Sequence, residues 1–263
     1  MSRMPVVYVP HGGGPWPYVD LPMFRDMDLG GLRQYLEGLR HLAAPKAVLV
    51  ISAHWEAPVP TVQSSAHPPL LFDYYGFPPE SYALTWPAPG DPQLAARVRA
   101  LLADAGIPSA EDPKRGFDHG TFVPLKLTWP DAQIPTIQLS LKQGLNAAEH
   151  LAMGRALRPL RDEGVLILGS GMSYHNMRGF GGRARATSKR FDDWLGETAI
   201  LSPQARDERL ANWENAPAAR ECHPREEHLL PLMVIAGAAG QDVGTVPFNE
   251  VAMGVFVSAV QFG

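Results

Sequence analysis

Three stretches of consecutive apolar residues stand out along the chain, and each of them ends close to a histidine. They cover residues 6–9, 47–51 and 165–168, and the histidines that follow them are His11, His54 and His175. A continuous apolar run of this length is typical of a strand that is covered on both faces, as in a parallel sheet. Ligands bind such sheets at the carboxyl ends of the strands. The pattern therefore predicts that the three histidines lie at one functional edge.

The remaining periodicities predict helices between the strands, which indicates an α/β fold of one large domain or two small ones. Apolar residues at helical spacing predict helices in residues 29–42, 92–106, 147–163, 187–198 and 203–213. Two further strands are predicted in residues 134–141 and 251–262. We also expect a helix that opens at Pro224 and bends at Pro231 beside His228, and a loop over residues 115–124 around His119.

Composition and charge exclude several classes of protein. The 263 residues are 45% hydrophobic, and a net charge of −4 with 19% charged residues provides no basic face for nucleic acid. The single cysteine, Cys222, rules out a disulfide framework and fits a reducing compartment, and no run approaches 18 apolar residues. The N-terminal residues show no signal-peptide pattern. We therefore expect a cytoplasmic protein with neither membrane nor nucleic acid as a partner.

The nine histidines are the candidate chemistry of the chain. Three neutral imidazoles at one rim suit a divalent transition metal, Zn(II) or Fe(II), with coordination positions left for water or substrate. The alternative is that His11, His54 and His175 are ordinary loop histidines. For His119, between Asp118 and Gly120, the spacing alone favours a catalytic role no more than a structural one.

The other histidines carry weaker signals. His223 and His228 are five residues apart, which separates them by roughly 140° around a helix, so only one of them should face the site. Cys222 beside His223 is a weak candidate for a thiolate ligand because the chain has no second cysteine. We expect no role for the histidines that we place on helix surfaces or in a proline-rich loop, which are His41, His67 and His150.

Other catalytic templates do not fit the sequence. Ser170 lies between two glycines, but a nucleophile elbow would need glycine in place of Leu168. The zinc-protease pattern His-Glu-x-x-His is absent from the sequence. The glycines at 12–14 match neither a P-loop nor a dinucleotide fingerprint.

Six motifs that cover nearly the whole chain, in order, resemble the class III extradiol ring-cleaving dioxygenases, in the branch that contains the 4,5-DOPA extradiol dioxygenases. The motifs are PHGGGPW, ISAHWE, FDYYGFP, GFDHGTFVPL, SGMSYHN and HPREEHLLPLMVIAGAAG. The resemblance implies one catalytic domain over residues 1–263, with a mostly parallel central sheet, helices on both faces and a metal site at the carboxyl ends of the strands. It also implies insertion of O2 into a catechol-type aromatic compound.

The resemblance further implies a mononuclear non-haem Fe(II) site with His11, His54 and His228 as ligands, and His223 is the alternative third ligand. Three imidazoles tolerate Zn(II) better than two histidines and a carboxylate do, so Zn(II) is a second candidate metal. By the same resemblance, His175 matches the acid–base histidine of the family. His119 matches a second histidine, which hydrogen-bonds the bound substrate.

The substrate pocket can be predicted only in outline. A flat catechol stacks on rings, which makes Trp16, Tyr74 and Tyr75 candidates for the pocket wall. The last two lie in the proline-rich segment of residues 64–89, which we expect to form a wall of the pocket or a contact between subunits of a homo-oligomer. Few cations are near the motifs in sequence, and we therefore expect a small or modestly substituted catechol.

Two other functional classes are compatible with the same residues. A zinc ion on three imidazoles could activate water, as in a hydrolase of an amide or an ester. A non-enzymatic binding protein could use the same fold.

Overall fold

The structure is a computed structural model that describes residues 3–25 and 27–263, with Met23 described by its backbone only. Eight strands form one sheet in this part of the chain. They are β1 (Val6–Pro10), β2 (Ala47–Ala57), β3 (Thr61–Gln63), β4 (Ala110–Asp112), β5 (Thr136–Lys142), β6 (Val165–Gly171), β7 (Gly244–Ala252) and β8 (Val255–Phe262). Their order across the sheet is β4-β3-β5-β2-β6-β1-β8-β7. The four central strands β5, β2, β6 and β1 are parallel. The three apolar runs thus form neighbouring parallel strands, as predicted.

Helices connect and cover these strands, and they make the chain a single-domain α/β fold. They are α1 (Pro22–Arg25), α2 (Gly30–Gly38), α3 (Pro92–Asp104), α4 (His119–Thr128), α5 (Ala147–Leu157), α6 (Arg185–Ala199), α7 (Pro203–Ala211), α8 (Ala219–Cys222) and α9 (Leu230–Ala239). The side chains of Asp91 and Asn146 cap α3 and α5, accepting hydrogen bonds from Leu94 N and Glu149 N. Among the described residues, no helix has both the length and the apolar character needed to cross a membrane.

Two helices cover opposite faces of the sheet beside β6, which shows how the layers are arranged. A side chain at Gly169 would point at Pro231 of α9, whereas the Ser170 hydroxyl donates a hydrogen bond to the carbonyl of Gly120 in α4. Successive residues of a strand point to opposite faces. The α4 and α9 helices therefore enclose the sheet from its two sides, and both begin at the edge where β1 and β6 end.

The α9 helix is wholly apolar and buried, and its carboxyl end is held by two buried arginines. Arg161 donates to the carbonyls of Ala238 and Ala239, and Arg206 donates to those of Ala236 and Gly240. A cation at this end of a helix satisfies carbonyls that lack partners and complements the helix dipole. This anchoring fixes the helix whose opposite end follows His228.

The structure corrects three of the predicted elements. Residues 119–128 form a helix, which begins inside the segment 115–124 that was predicted as a loop. The last helix begins at Leu230, so Pro231 lies in its first turn, where its missing N–H costs nothing, and it does not bend a longer helix. The segment predicted as one terminal strand contains the end of β7, a turn at 253–254 and β8, which pair as an antiparallel hairpin.

Candidate active site

His11 directly follows β1, and its orientation is fixed by a chain of hydrogen bonds. Pro124 has no N–H to bond the carbonyl of Gly120 four residues earlier, so that carbonyl accepts from the Ser170 hydroxyl instead. Because the Ser170 proton is used in this way, its oxygen is the acceptor for Nδ1 of His11, at 3.0 Å. The proton of the neutral imidazole therefore sits on Nδ1, and Nε2 presents a lone pair.

The sequence predicted His54 after the end of its strand, but in the structure His54 lies within β2. The strand continues to Ala57, but its register with β5 shifts between Ile51 and Glu56, and His54 lies in this irregular part. A side chain at Gly120 would come within 2.8 Å of the Ser52 hydroxyl and 3.0 Å of the His54 ring, so glycine lets α4 pack closely against this part of the strand. An irregular strand next to a functional site commonly redirects one side chain, and here that side chain is an imidazole.

His228 precedes α9 in a turn that is clamped onto the end of β6. Its carbonyl accepts hydrogen bonds from the Tyr8 hydroxyl at 2.7 Å and from Met172 N at 3.1 Å. A side chain at Gly171 would come within 2.1 Å of this carbonyl, so only glycine permits the approach. The Nδ1 atom of His228 lies 3.1 Å from Oε1 of Glu227, which directs Nε2 toward the other histidines.

The Nε2 atoms of these three histidines converge. The distance from His54 Nε2 is 3.0 Å to that of His11 and 3.2 Å to that of His228. The Ser170 and Glu227 contacts keep two of the ring protons on Nδ1, and Asp73, 3.6 Å from Nδ1 of His54, favours the same tautomer there. Lone pairs at this distance are stabilised by a shared cation, so the donor set fits a metal ion.

Burial keeps these rings neutral. It lowers the pKa of His11 and of His54 well below the ordinary value, and the neighbouring imidazoles lower both further. For His228, burial lowers the pKa to about 4 although the hydrogen bond to Glu227 opposes the shift. Neutral imidazole is the form that binds a transition metal, so the site is ready for a ligand role at pH 7.

His119 opens α4 and is tied to Asp73, a residue of the proline-rich segment. Its Nδ1 is 2.8 Å and its backbone N is 3.0 Å from Oδ1 of Asp73. Burial would raise the pKa of Asp73, but the hydrogen bonds and the charge of His119 outweigh it and leave that pKa lowered. The ring centroid of His119 is 3.9 Å from that of His54, so His119 borders the triad of imidazoles.

His175, four residues after β6, stacks on His228. The ring centroids are 3.4 Å apart with an angle of 18° between the planes. The Nδ1 atom of His175 is 3.1 Å from Oε1 of Glu227, the same oxygen that contacts His228. Burial would raise the pKa of Glu227, but hydrogen bonds from these two histidines hold it well below its usual range. Glu227 is thus a carboxylate shared by both rings.

A cavity of about 830 Å³ opens over the five histidines. This volume lies within the range of small-molecule sites. Apart from the histidines, its lining is mainly glycines, methionines and aromatic rings, with Asp73 as its carboxylate; the methionines and rings are Met27, Met172, Met177, Met253, Phe24, Phe77, Phe180, Tyr74 and Tyr75. No lysine or arginine lines the cavity in the ranges that the structure covers.

The three predicted substrate-binding residues differ in position. Tyr74 is buried in the cavity wall, with its hydroxyl bonded to the carbonyl of Ser81 and its ring 5.9 Å from that of His119. Tyr75 lies at the mouth with 89% of its surface exposed. Trp16 is buried behind Gly12 and is not among the lining residues described. Its indole supports the glycine turn from outside the cavity.

The remaining histidines lie away from this cluster. His41 and His67 are exposed, whereas His150 is buried and not on a helix surface: its ring bonds Lys142 N and Asn146 O, which ties α5 to β5. His223, the alternative third ligand, is buried and donates from Nε2 to the carbonyl of Ser173 at 2.9 Å. Cys222 contacts the carbonyl of Thr187, and burial raises the pKa of its thiol to about 12.

Replacement of His223 by glutamine should reduce the change in the free energy of unfolding between pH 7 and pH 5. Burial lowers the pKa of His223 to about 3, against about 6.5 in an unfolded chain. Between these values the unfolded chain binds a proton that the folded chain does not, so the free energy of unfolding falls as the pH falls. The histidine should account for about 2 kcal/mol of the loss between pH 7 and pH 5. Urea unfolding of the wild type and the variant at both pH values measures it, and equal losses would contradict the assignment.

Sequence reasoning missed Asp73, Glu227 and the hydroxyl of Ser170, which orient the histidines. A general rule about metal-binding histidines could have directed attention to such residues. A histidine that binds a metal usually gives its other nitrogen a hydrogen-bond partner, often a carboxylate. Asp73 stands in FDYYGFP and Glu227 stands directly before His228, but neither position shows which imidazole its carboxylate would reach.

Comparison with known proteins adds family information. The model of the family described as "Catalytic LigB subunit of aromatic ring-opening dioxygenase" matches residues 5–261. Dioxygenase tasH of Hapsidospora irregularis is 36% identical over 284 residues, which cover 100% of this chain and 86% of that protein. The 4,5-DOPA dioxygenase extradiol of Portulaca grandiflora is 44% identical over 204 residues, covering 75% of this chain and 74% of that one.

A solved structure has the same architecture. The crystal structure of an uncharacterized protein from Escherichia coli K12 superimposes with a TM-score of 0.80 at 31% identity. The match covers 99% of this chain and 100% of the other. The fold described above is thus shared from end to end.

Proposed function

The chain belongs to the LigB family of aromatic ring-opening dioxygenases and is an extradiol ring-cleaving dioxygenase, and from this premise we propose that it opens a catechol at one metal ion held by His11, His54 and His228. The observation that carries the proposal is the convergence of three Nε2 atoms at the floor of a cavity of about 830 Å³, where those of His11 and His228 lie 3.0 Å and 3.2 Å from that of His54. Ser170, Asp73 and Glu227 hold these rings in the required orientation.

The metal that we propose for activity is Fe(II). When bound, it would bring the catechol and O2 together and pass electrons from the catechol to O2, so the reaction needs no other reductant. Three neutral imidazoles bring no negative charge to a divalent ion, and the nearby carboxylates of Asp73 and Glu227 would balance its charge. The same donor set also accepts Zn(II), which we propose as a competing and inactive occupant.

The proton transfers are assigned to His175 and substrate positioning to His119. Glu227 keeps the proton of a neutral His175 on Nδ1, so Nε2 is free to take a proton from a catechol hydroxyl and to return it later. Asp73 holds Nδ1 of His119 in the same way and leaves the rest of that ring to face the cavity. Both rings line the cavity next to the ligand triad, where a bound catechol must lie.

Metal analysis combined with oxygen uptake tests this function. The protein, loaded with Fe(II) under anaerobic conditions, should consume one O2 per catechol and give the yellow product of extradiol opening. The Zn(II)-loaded protein should not. A zinc hydrolase would instead cleave ester or amide probes with Zn(II) and consume no O2, and a binding protein would retain catechol without turnover.

A homo-oligomeric state and a cytoplasmic location stay predictions.

No lysine or arginine is among the described residues that line the cavity, and this leads us to propose a catechol without a carboxylate as the preferred substrate. A carboxylate buried there would lose its water without gaining a guanidinium partner. The nearby Arg115 is already bonded to Asp118 and to the carbonyl of His54, and Arg185 lies 5.9 Å from the ring of Phe256. Several relatives carry DOPA in their names, and DOPA is a catechol with a carboxylate. This chain would therefore differ from those relatives in its preferred substrate.

We accordingly expect kcat/KM for catechol and 4-methylcatechol to equal or exceed that for protocatechuate and DOPA. Steady-state oxygen uptake with the four substrates measures it, at constant Fe(II) loading. A preference above about 100-fold for the carboxylated pair corresponds to roughly 2.7 kcal/mol of discrimination. That result would show that a cation reaches the bound substrate, and the proposal on substrate class would be abandoned.

A further inference from the structure

We propose that Glu227 is a positioning residue that sets the orientation and tautomer of two histidines at once, the ligand His228 and the proton-transfer residue His175. This inference rests on the function proposed above. It assigns a role in the reaction to a residue that binds neither the metal nor the substrate.

The geometry that supports it is a single shared oxygen. Oε1 of Glu227 lies 3.1 Å from Nδ1 of His228 and 3.1 Å from Nδ1 of His175. The two rings stack face to face with centroids 3.4 Å apart, so one carboxylate reaches the same edge of both. Within the described ranges, neither Nδ1 forms a hydrogen bond to a side chain other than that of Glu227.

The chemistry of a carboxylate makes this contact directional. An ionised carboxylate only accepts hydrogen bonds, so each Nδ1 that contacts it must carry a proton. A neutral ring with its proton on Nδ1 has its lone pair on Nε2. For His228 that lone pair faces the Nε2 atom of His54, 3.2 Å away, and for His175 it belongs to a ring that lines the cavity. One group therefore prepares a metal ligand and a base.

The position of Glu227 is itself constrained. Its side chain is only 13% exposed, and its second oxygen, Oε2, makes no hydrogen bond in the part of the chain that is described. Arg225 approaches Oε2 to 3.6 Å while forming a two-pronged contact with Glu56 at the end of β2. A buried carboxylate with so few other partners is held in place by the two imidazoles, which is what a positioning role requires.

Metal affinity and turnover, measured separately, test the proposal. Zn(II) affinity is measured by competition with a chromophoric chelator, and kcat and KM for catechol are measured with saturating Fe(II). Glu227→Ala should weaken Zn(II) binding about 10- to 100-fold and lower kcat at least about 10-fold, with KM changed less than about 3-fold. Glu227→Gln retains an acceptor oxygen and should recover part of both losses. Glu226→Gln is the control, because Glu226 bonds Arg220 on the surface, and it should change neither quantity.

A double variant separates the two actions of Glu227. Residues that act through each other are not additive, so Glu227→Ala should lower kcat little further in a His175→Phe background but should still weaken Zn(II) binding there. Additive losses in kcat would overturn the link to His175. Complete loss of stoichiometric Zn(II) in both Glu227→Ala and Glu227→Gln would make Glu227 a direct ligand and overturn the proposal. If the wild type consumed no O2, the Zn(II) measurement would still test the contact with His228.

Discussion

Replacing His54 with alanine should abolish stoichiometric metal binding and, with it, dioxygenase activity. The Nε2 atom of His54 is the central member of the predicted triad, 3.0 Å from that of His11 and 3.2 Å from that of His228. Without it, the two remaining imidazoles leave a cation with too few protein ligands for a stable site. We expect the affinity for Zn(II) or Fe(II) to fall more than about 100-fold, beyond the range seen when only an outer partner of a ligand is lost.

Elemental analysis after dialysis and chelator competition measure this effect. His41→Ala is a matched control because it removes an exposed imidazole far from the cluster and should leave the metal content unchanged. Thermal unfolding of the metal-free proteins checks that His54→Ala still folds. Full metal content in His54→Ala would show that the triad assignment is wrong, and the group His175, Glu227 and His228 would then be the next candidate site.

The central strands could be predicted from the sequence because their signal is local. Continuous apolar runs belong to strands covered on both faces, and the runs before His11, His54 and His175 form β1, β2 and β6, side by side. The end of β2 was misplaced because Ser52 and His54 are polar. Their side chains do not end the strand: the Ser52 hydroxyl donates to the buried Asp118, and His54 faces the other imidazoles.

The α4 helix could not be predicted because tertiary contacts override its local signals. Gly120 and Pro124 both disfavour a helix interior. In the folded chain, Gly120 permits the close approach of the His54 ring, and the carbonyl that Pro124 leaves without a partner is used by Ser170. The residues that weaken the helix are thus the ones that orient two predicted ligands. Local preference and global fold disagree at functional sites more than elsewhere.

The carboxylates of the site were also beyond the reach of pattern reasoning. Asp73 is separated from His119 by 46 residues, in a segment without helical or strand period, and only the folded chain brings them to 2.8 Å. Glu227 fell within the helix that was predicted to open at Pro224. In the structure it lies in the turn before α9, where its side chain contacts two imidazoles. Sequence adjacency to His228 was visible, but the direction of the side chain was not.

Replacing His175 should separate metal binding from catalysis. His175 lines the cavity but is not one of the three histidines whose Nε2 atoms converge. Its removal should therefore leave the metal content within about 2-fold of the wild type. Turnover should fall about 10²- to 10⁴-fold, which is the usual contribution of a positioned proton-transfer group. His175→Ala also removes the ring that stacks on His228. His175→Phe is therefore the sharper variant, because it keeps a ring against His228 and removes both nitrogens.

The two variants should lose turnover to a similar extent if proton transfer is the function of His175, since both lack a basic nitrogen. Stopped-flow measurement of catechol deprotonation, by its ultraviolet absorbance under anaerobic conditions with saturating Fe(II), locates the affected step. We expect substrate to bind both variants while its deprotonation slows by the same factor as kcat. Loss of metal from His175→Phe would place His175 among the ligands. Full activity of His175→Phe with loss of activity in His175→Ala would show that the ring acts only by packing against His228.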